Sequence, residues 1–465
     1  MGGNYKHQRK LSASDNANTL KQVPSAASGS QGSTIASTTS SGSVAVKSQP
    51  SSSTDNPPSS SSNITSGSQR PHQDNAAHPS RTTSSHQQNS APHIRQRHGR
   101  SYIEAPGVTY PLPVDLPEMH RQSLRTMLLT EIHGAPLRAP MTKNPPRRVL
   151  EIGCGPGIWS LLCHRYFKKL GHTGISFVGI DIAPPSSGMM TPDPDMDWTY
   201  VQHDITNIPW PFPDEHFDLM FHKEMTLAVP VPDHPAFSAE GLRVTAHGGY
   251  VEIWEVDHMI RLLRPHTPND QDRDVMKRGA YALNINTPLS APQNSYLVEY
   301  NSWLTQAFEK RAVMVNPCTA MQHYLMAEDI LTDVRSQRLL IPFSEIRWEG
   351  QGGVAKVVTK DGKAYVKGTT GGDATTSKTT AAASQKQEVK LTEVALAVRR
   401  TALLTLVQEI QAQELMLREV NGKGPDEWNS WVDKMTHDLM EEGGTRWGEC
   451  LETGAWWARK KNVGE

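Results

Sequence analysis

Cysteine is scarce in this 465-residue chain: Cys154, Cys163, Cys318 and Cys450 are the full set, and no two form a C-x-x-C pair. That spacing excludes a zinc ribbon and a disulfide framework, so no metal site is expected. No apolar run approaches the roughly 20 residues of a membrane helix. The opening Met1-Gly2-Gly3-Asn4-Tyr5-Lys6 lacks the apolar core of a secretory signal. Lys6 stands where a myristoylation site needs Ser or Thr. Cytoplasmic or nuclear residence with no membrane partner is therefore expected. Internal repeats are absent, as is the Gly-Lys-Ser or Gly-Lys-Thr of a phosphate-binding Walker loop.

Aromatic residues are nearly missing from the first hundred positions, where Tyr5 stands alone among Ser, Thr, Gln, Asn, Gly and Pro. Such a stretch cannot bury enough apolar area to offset the entropy of ordering, so residues 1–100 read as a disordered tail. The tail holds ten Lys or Arg against three Asp or Glu, a net of +7, which leaves −8 on the remainder. Its densest basic patch runs from His93 to Arg100. A solvated linker is the preferred reading there, ahead of a nuclear-localisation or nucleic-acid contact. The tail also suits recruitment of a protein partner.

From residue 101 onward the pattern changes. Helical spacing predicts a helix over Leu116–His133, and strand and helix signals then alternate as in a parallel α/β sheet. Strands are expected at Arg148–Ile152, Ile175–Ile182, Trp198–Gln202, Phe217–His222 and Tyr250–Val256. Helices are expected at Ile158–Leu170 and Ala236–Val244, with Gly248-Gly249 as a turn. Further on, helices are expected at Leu297–Val313, Leu391–Glu419 and Asp426–Glu442, and strands at Leu339–Trp348 and Cys450–Arg459. Residues 350–388 include a second low-complexity stretch, read as an insertion.

The chemistry concentrates in Val149-Leu150-Glu151-Ile152-Gly153-Cys154-Gly155-Pro156-Gly157-Ile158-Trp159. An apolar strand runs into a glycine turn and then a helix, whose free N–H groups favour an anionic group. A dinucleotide loop wants G-x-G-x-x-G, but the third glycine here comes one residue early. That disfavours an NAD-dependent reductase. One β-α step later, Phe177-Val178-Gly179-Ile180-Asp181-Ile182 ends a strand on an acid that can accept two ribose hydroxyls; the competing reading of Asp181 is a turn former. Asp204 and Ile205 follow the next strand. Asp204 is chemically apt as an acceptor for a buried amino group.

In order and spacing these elements resemble class I methyltransferases that bind S-adenosylmethionine (SAM). The Glu-x-Gly-x-Gly-x-Gly form is similar to that family's first motif. Leu242-Arg243-Val244-Thr245-Ala246-His247-Gly248-Gly249 is similar to its helix-to-strand turn, with His247 replacing proline. The resemblance implies an α/β, Rossmann-like fold: a mostly parallel seven-stranded sheet with helices on both faces and a helical C-terminal elaboration. It covers residues 101–465 with a core at 145–260, and it implies SAM as cofactor. The cofactor set it implies is Tyr110, Glu151, Gly153, Cys154, Gly155, Gly157, Trp159, Asp181, Ile182, Asp204, Ile205 and His222. Tyr110 would close over SAM, and Trp159 would either wall its methionine end or pack in the core.

Methyl transfer from a sulfonium needs alignment above all, and a base only if the acceptor must lose a proton. His222 and Glu224, after the fourth strand, are the catalytic candidates, with Glu255 and Asp257 as alternatives. For His222 two readings stay open: the ring as base, or the backbone carbonyl as a SAM contact. Tyr110-Pro111-Leu112-Pro113, Trp210-Pro211-Phe212 and Trp456-Trp457-Ala458-Arg459-Lys460 further resemble fungal LaeA-like methyltransferases. That likeness implies an alternative function, a SAM-binding regulatory module that recruits partners in gene or secondary-metabolism regulation. The methyl acceptor is left as a small molecule or protein. A nucleic-acid acceptor is disfavoured by the acidic body and by the lack of an Asn-Pro-Pro-Tyr type motif.

Overall fold

The computed structural model describes residues 93–465, except 106, 109, 186–190, 267–271, 350–356, 361–362 and 367–390. Every described residue belongs to one compact unit, 86–465. The disorder expected of residues 1–92, and of most of the 350–388 insertion, lies outside the described residues.

A hairpin comes first, β1 (His93–Arg97) and β2 (Arg100–Glu104). The basic patch is thus strand rather than linker: Arg95 and Arg97 reach across the hairpin to Glu104. Next is α1 (Leu116–His133), whose N-cap Asp115 accepts from Glu118 N and also holds Arg100 through two hydrogen bonds of 2.7 and 2.9 Å. Gly134, at φ 81°, ends the helix. The core alternation follows: β3 (Arg148–Ile152), α2 (Ile158–Lys169), β4 (Ser176–Asp181), β5 (Asp197–Gln202), β6 (Phe217–Lys223), α3 (His234–Val244) and β7 (Thr245–Val256). These match the expected elements to within a few residues, except that β7 starts before Gly248-Gly249 and carries both glycines inside it.

The remainder comprises β8 (Arg261–Leu263), α4 (Asp272–Lys277), β9 (Tyr281–Ala282), β10 (Leu289–Ser290), α5 (Ser295–Lys310), α6 (Met321–Ala327), β11 (Leu331–Pro342), β12 (Val357–Lys360), β13 (Lys363–Val366), α7 (Glu393–Ala412), α8 (Glu414–Asn421), α9 (Pro425–Met440) and β14 (Glu449–Lys460). Two expectations change here. The strand read at Leu339–Trp348 is β11, which ends at Pro342; Leu339, Leu340 and Ile341 are all buried, so both faces of this stretch are covered. The single helix read at Leu391–Glu419 breaks at Gln413 into α7 and α8. On α7 the apolar Val394 is exposed, whereas Arg399 is buried and paired with Glu349 at 2.7 Å.

Among the described residues the sheet is Rossmann-like but mixed, with ten strands rather than seven. Its path runs β10-β8-β14-β7-β6-β3-β4-β5, with β11 on β14 and β9 on β11. Only β7-β6-β3-β4-β5 is parallel; β8, β9, β10, β11 and β14 add antiparallel pairs. The chain builds β3, β4 and β5 outward, then crosses back to lay β6 on the other side of β3. That reversal is the topological switch point, where open α/β sheets bind ligands at the carboxyl ends of their strands. The register places the site: Ile152 pairs with both Ile180 and His222, so the residues just after β3, β4 and β6 meet in one crevice.

Candidate active site

Gly153, Gly155 and Gly157 all have left-handed backbones, with φ of 61°, 48° and 74°. Gly153 N and Cys154 N donate to Ile180 O at 2.9 and 3.2 Å, which ties the turn to β4. Neither Gly153 nor Gly155 has room for a Cβ: the first would overlap Met225 Sδ and the second would sit 2.8 Å from Gln122 Oε1. This loop opens a pocket of about 130 Å³ at the switch point.

Seven expected cofactor residues line that pocket: Tyr110, Gly153, Gly155, Asp181, Ile182, Asp204 and Ile205, joined by Glu224 from the catalytic pair. Asp181 is half-buried, and its desolvation raises the carboxyl above the usual range. Gly155 N and Ala183 N donate to it at 2.8 and 3.1 Å. A carboxylate accepts about four hydrogen bonds, so lone pairs remain for a ligand. Asp204 folds its own turn, accepting from Thr206 N and Oγ1, and still faces the pocket. The Tyr110 hydroxyl accepts from Gln122 Nε2 at 3.3 Å.

The other expected residues lie elsewhere. Glu151 turns beneath the loop, where Ser160 N and Oγ donate to it at 3.2 and 2.6 Å. It spends one of the free amides of α2, and burial lifts its carboxyl to about 7. Cys154 is buried against Gly179. Gly157 is the N-cap of α2 and stays off the pocket wall. Trp159 is core: its ring stacks on Phe221 with centroids 3.7 Å apart, and its Nε1 donates to Pro136 O. The His222 ring also misses the pocket. It projects from the other face of β6, beside Phe237, and burial and His234 lower it to about 3.

Glu224 does reach the pocket, with a left-handed φ of 53°, a strained backbone for a non-glycine residue. Burial would raise its carboxyl, but the charges of Lys223, Arg125 and Arg121 outweigh that and hold it at about 2. So weak a base does not suit the role expected of it. Of the two alternatives, Glu255 is buried outside this pocket and raised to about 8 by burial and the Glu224 charge, while Asp257 is buried and paired with Arg261.

The far wall was not legible in the sequence. Arg125, fully buried, donates to Glu409 at 2.8 Å, to Glu224 at 3.2 Å and to Thr405 at 3.0 Å. Arg121 forks onto Glu118 at 2.6 to 3.1 Å, and its Nη1, 3.7 Å from Glu409, has no hydrogen-bond partner. His258 sits between Thr226 Oγ1 and Glu409 at 3.1 and 3.3 Å, so both its ring nitrogens are engaged. These residues come from α1, the segment after β6, the segment after β7, and α7. Helical spacing signals α1 and α7, but nothing in it reveals that their charged positions face each other.

Residues 149–249 match the family model of a methyltransferase domain. No curated protein matches the chain. Among solved structures, the [4+2]-cyclase SpnF is similar at 14% identity and TM-score 0.31, over 77% of this chain and 99% of its own. The YcgJ protein of Bacillus subtilis is similar at 13% and 0.30, over 74% and 100%. The Haemonchus contortus phosphoethanolamine N-methyltransferase 2 is similar at 12% and 0.31, over 73% and 52%. Likenesses at such TM-scores carry no argument; the domain match falls on the glycine loop, Asp181 and Asp204. The chain therefore carries a SAM-dependent methyltransferase domain.

Proposed function

We propose that this chain transfers the methyl group of SAM to a small-molecule acceptor, within one domain of residues 101–465. One observation carries the reading: a pocket at the switch point is lined together by Gly153, Gly155, Asp181 and Asp204. The residues fit the cofactor. A cradle without room for a Cβ admits a ligand close to the backbone at Gly153 and Gly155. Asp181 would hold the ribose hydroxyls, Asp204 and Ile205 the adenine, and Tyr110 would cover it. Arg121 Nη1, buried and lacking a hydrogen-bond partner, supplies a donor for the carboxylate of the methionine end.

When bound, SAM supplies an electrophilic methyl carbon on a sulfonium. The protein's part is to orient the acceptor and exclude water. Glu224 and Glu409 act there as fixed negative charges, since both are held well below the usual carboxylate range against the pull of burial. Glu224 and Glu409 are thus poor bases, so the reading favours an acceptor that needs no strong base. The LaeA-like resemblance supplies the alternative, a regulatory module that binds SAM and recruits partners. The test is calorimetric titration of SAM, with NADH as control, into the wild type and Asp181→Ala, followed by labelled-methyl transfer to candidate acceptors. SAM binding that the variant loses, with no NADH binding, is the expected result. A folded wild type that fails to bind SAM refutes the proposal, and SAM binding without transfer favours the alternative.

A further inference from the structure

Along β6, Leu219 and Phe221 point to one face of the sheet, and Met220 and His222 to the other, as strand alternation requires. On that second face, between the sheet, α3 and α6, lies a separate cavity of about 170 Å³. Met225 is the residue it shares with the cofactor pocket. Its walls are apolar and rich in soft or aromatic groups: Met220, Met225, Met321, Phe237 and Tyr324. Thioethers favour aromatic ring edges, and a dry cavity of about 150 Å³ suffices for benzene.

One polar group is left without a partner there. His222 is 6% exposed and lines the cavity, and its Nδ1 has no hydrogen-bond partner. Buried polar atoms are nearly always paired, so an orphan beside a cavity asks for a ligand. The charge on that ligand is constrained as well. Burial keeps the His222 ring neutral and lowers His234, burial with the Glu224 charge keeps the Glu255 carboxyl protonated at neutral pH, and Glu328, the other acid on the wall, is engaged by the Ser238 hydroxyl at 3.0 Å, so the wall offers no free counter-charge.

We propose that this cavity is a second small-molecule site, which takes an uncharged aromatic molecule bearing one hydroxyl that hydrogen-bonds to His222 Nδ1. The site lies across Met225 from the cofactor pocket and does not depend on what that pocket binds.

The test titrates p-cresol, and toluene as the same ring without the hydroxyl, into the full chain by calorimetry and ligand-observed NMR. Wild type should bind p-cresol about tenfold more tightly than toluene, the worth of one buried neutral hydrogen bond. His222→Leu should bind both alike. Ser238→Phe, which fills the cavity from α3, should bind neither while keeping the wild-type circular dichroism spectrum and cooperative thermal unfolding, which show that it is folded. Failure of wild type to bind p-cresol at millimolar concentration overturns the proposal. So does equal preference for the two rings in wild type, an undiminished preference in His222→Leu, or unchanged p-cresol binding in Ser238→Phe.

Discussion

Arg125→Met tests whether the charged wall holds the domain together. Arg125 has no solvent exposure and bridges α1 to the segment after β6 and to α7 through Glu224, Glu409 and Thr405. Methionine keeps much of the volume but removes a cation from Glu224, which keeps Lys223, and from Glu409, which keeps only Arg121 at 3.7 Å and the His258 ring and is left with an under-compensated buried charge. Removal of one partner from a buried ion pair costs about 3–5 kcal/mol, most of it from the uncompensated charge. At about 2 °C per kcal/mol for a large domain, the melting temperature should drop by roughly 5–10 °C. The sign with pH follows from Glu409. Its folded pKa lies below the usual 4.5, because the Arg125 and Arg121 charges and the His258 hydrogen bond outweigh burial. In wild type this contributes stability that is present above the unfolded pKa and lost as pH falls through the folded one. In the variant that depression shrinks, so the deficit should be large at pH 7 and smaller near pH 4. Adding Glu409→Gln removes the stranded charge, so the double variant should lose about 1–3 kcal/mol less than the two single losses added together. Guanidinium denaturation at both pH values measures all three. A loss under about 1 kcal/mol, a deficit independent of pH, or simple additivity would refute the reasoning.

Two further predictions concern the glycine turn and a buried acid. Gly153→Ala places a Cβ on Met225 at a φ of 61°, so it should lower stability by about 1–2 kcal/mol from backbone strain alone and weaken SAM binding, read by calorimetry. Glu255 is raised to about 8, so between pH 4.5 and 8 the folded state holds a proton that the unfolded state has released. Wild-type stability should therefore fall as pH rises through that window, by about 1.4 kcal/mol per unit from this group. Glu151 and Glu252, each raised to about 7, act in the same direction lower in the window. Glu255→Gln should flatten the decline most clearly between pH 7 and 8; an unchanged slope in denaturation there counts against its protonated state.

The residues legible in the sequence were those whose function is local. Gly153, Gly155 and Asp181 announce themselves because a turn and a strand end each fit within a few residues of chain. What stayed hidden depends on partners far away in the chain. Arg125 and Glu409 are 284 positions apart, and no spacing rule joins them. Three antiparallel strands escaped the count because β9 and β10 are two residues each, and β8 is three, too short to show any period.

His222 shows the limit most sharply. Its place after Phe221 marks it as the end of a strand near the site, and the structure agrees on that place. A strand's period of two decides which face a side chain takes, and one residue of difference exchanges the faces. Lys223, the last residue of β6, and Glu224, just past it, line the cofactor pocket, whereas the ring of His222 is committed to the opposite side with Met220. The same alternation that denies His222 a role as base leaves it buried without a partner for Nδ1, and so gives the second cavity the polar atom on which its ligand would depend.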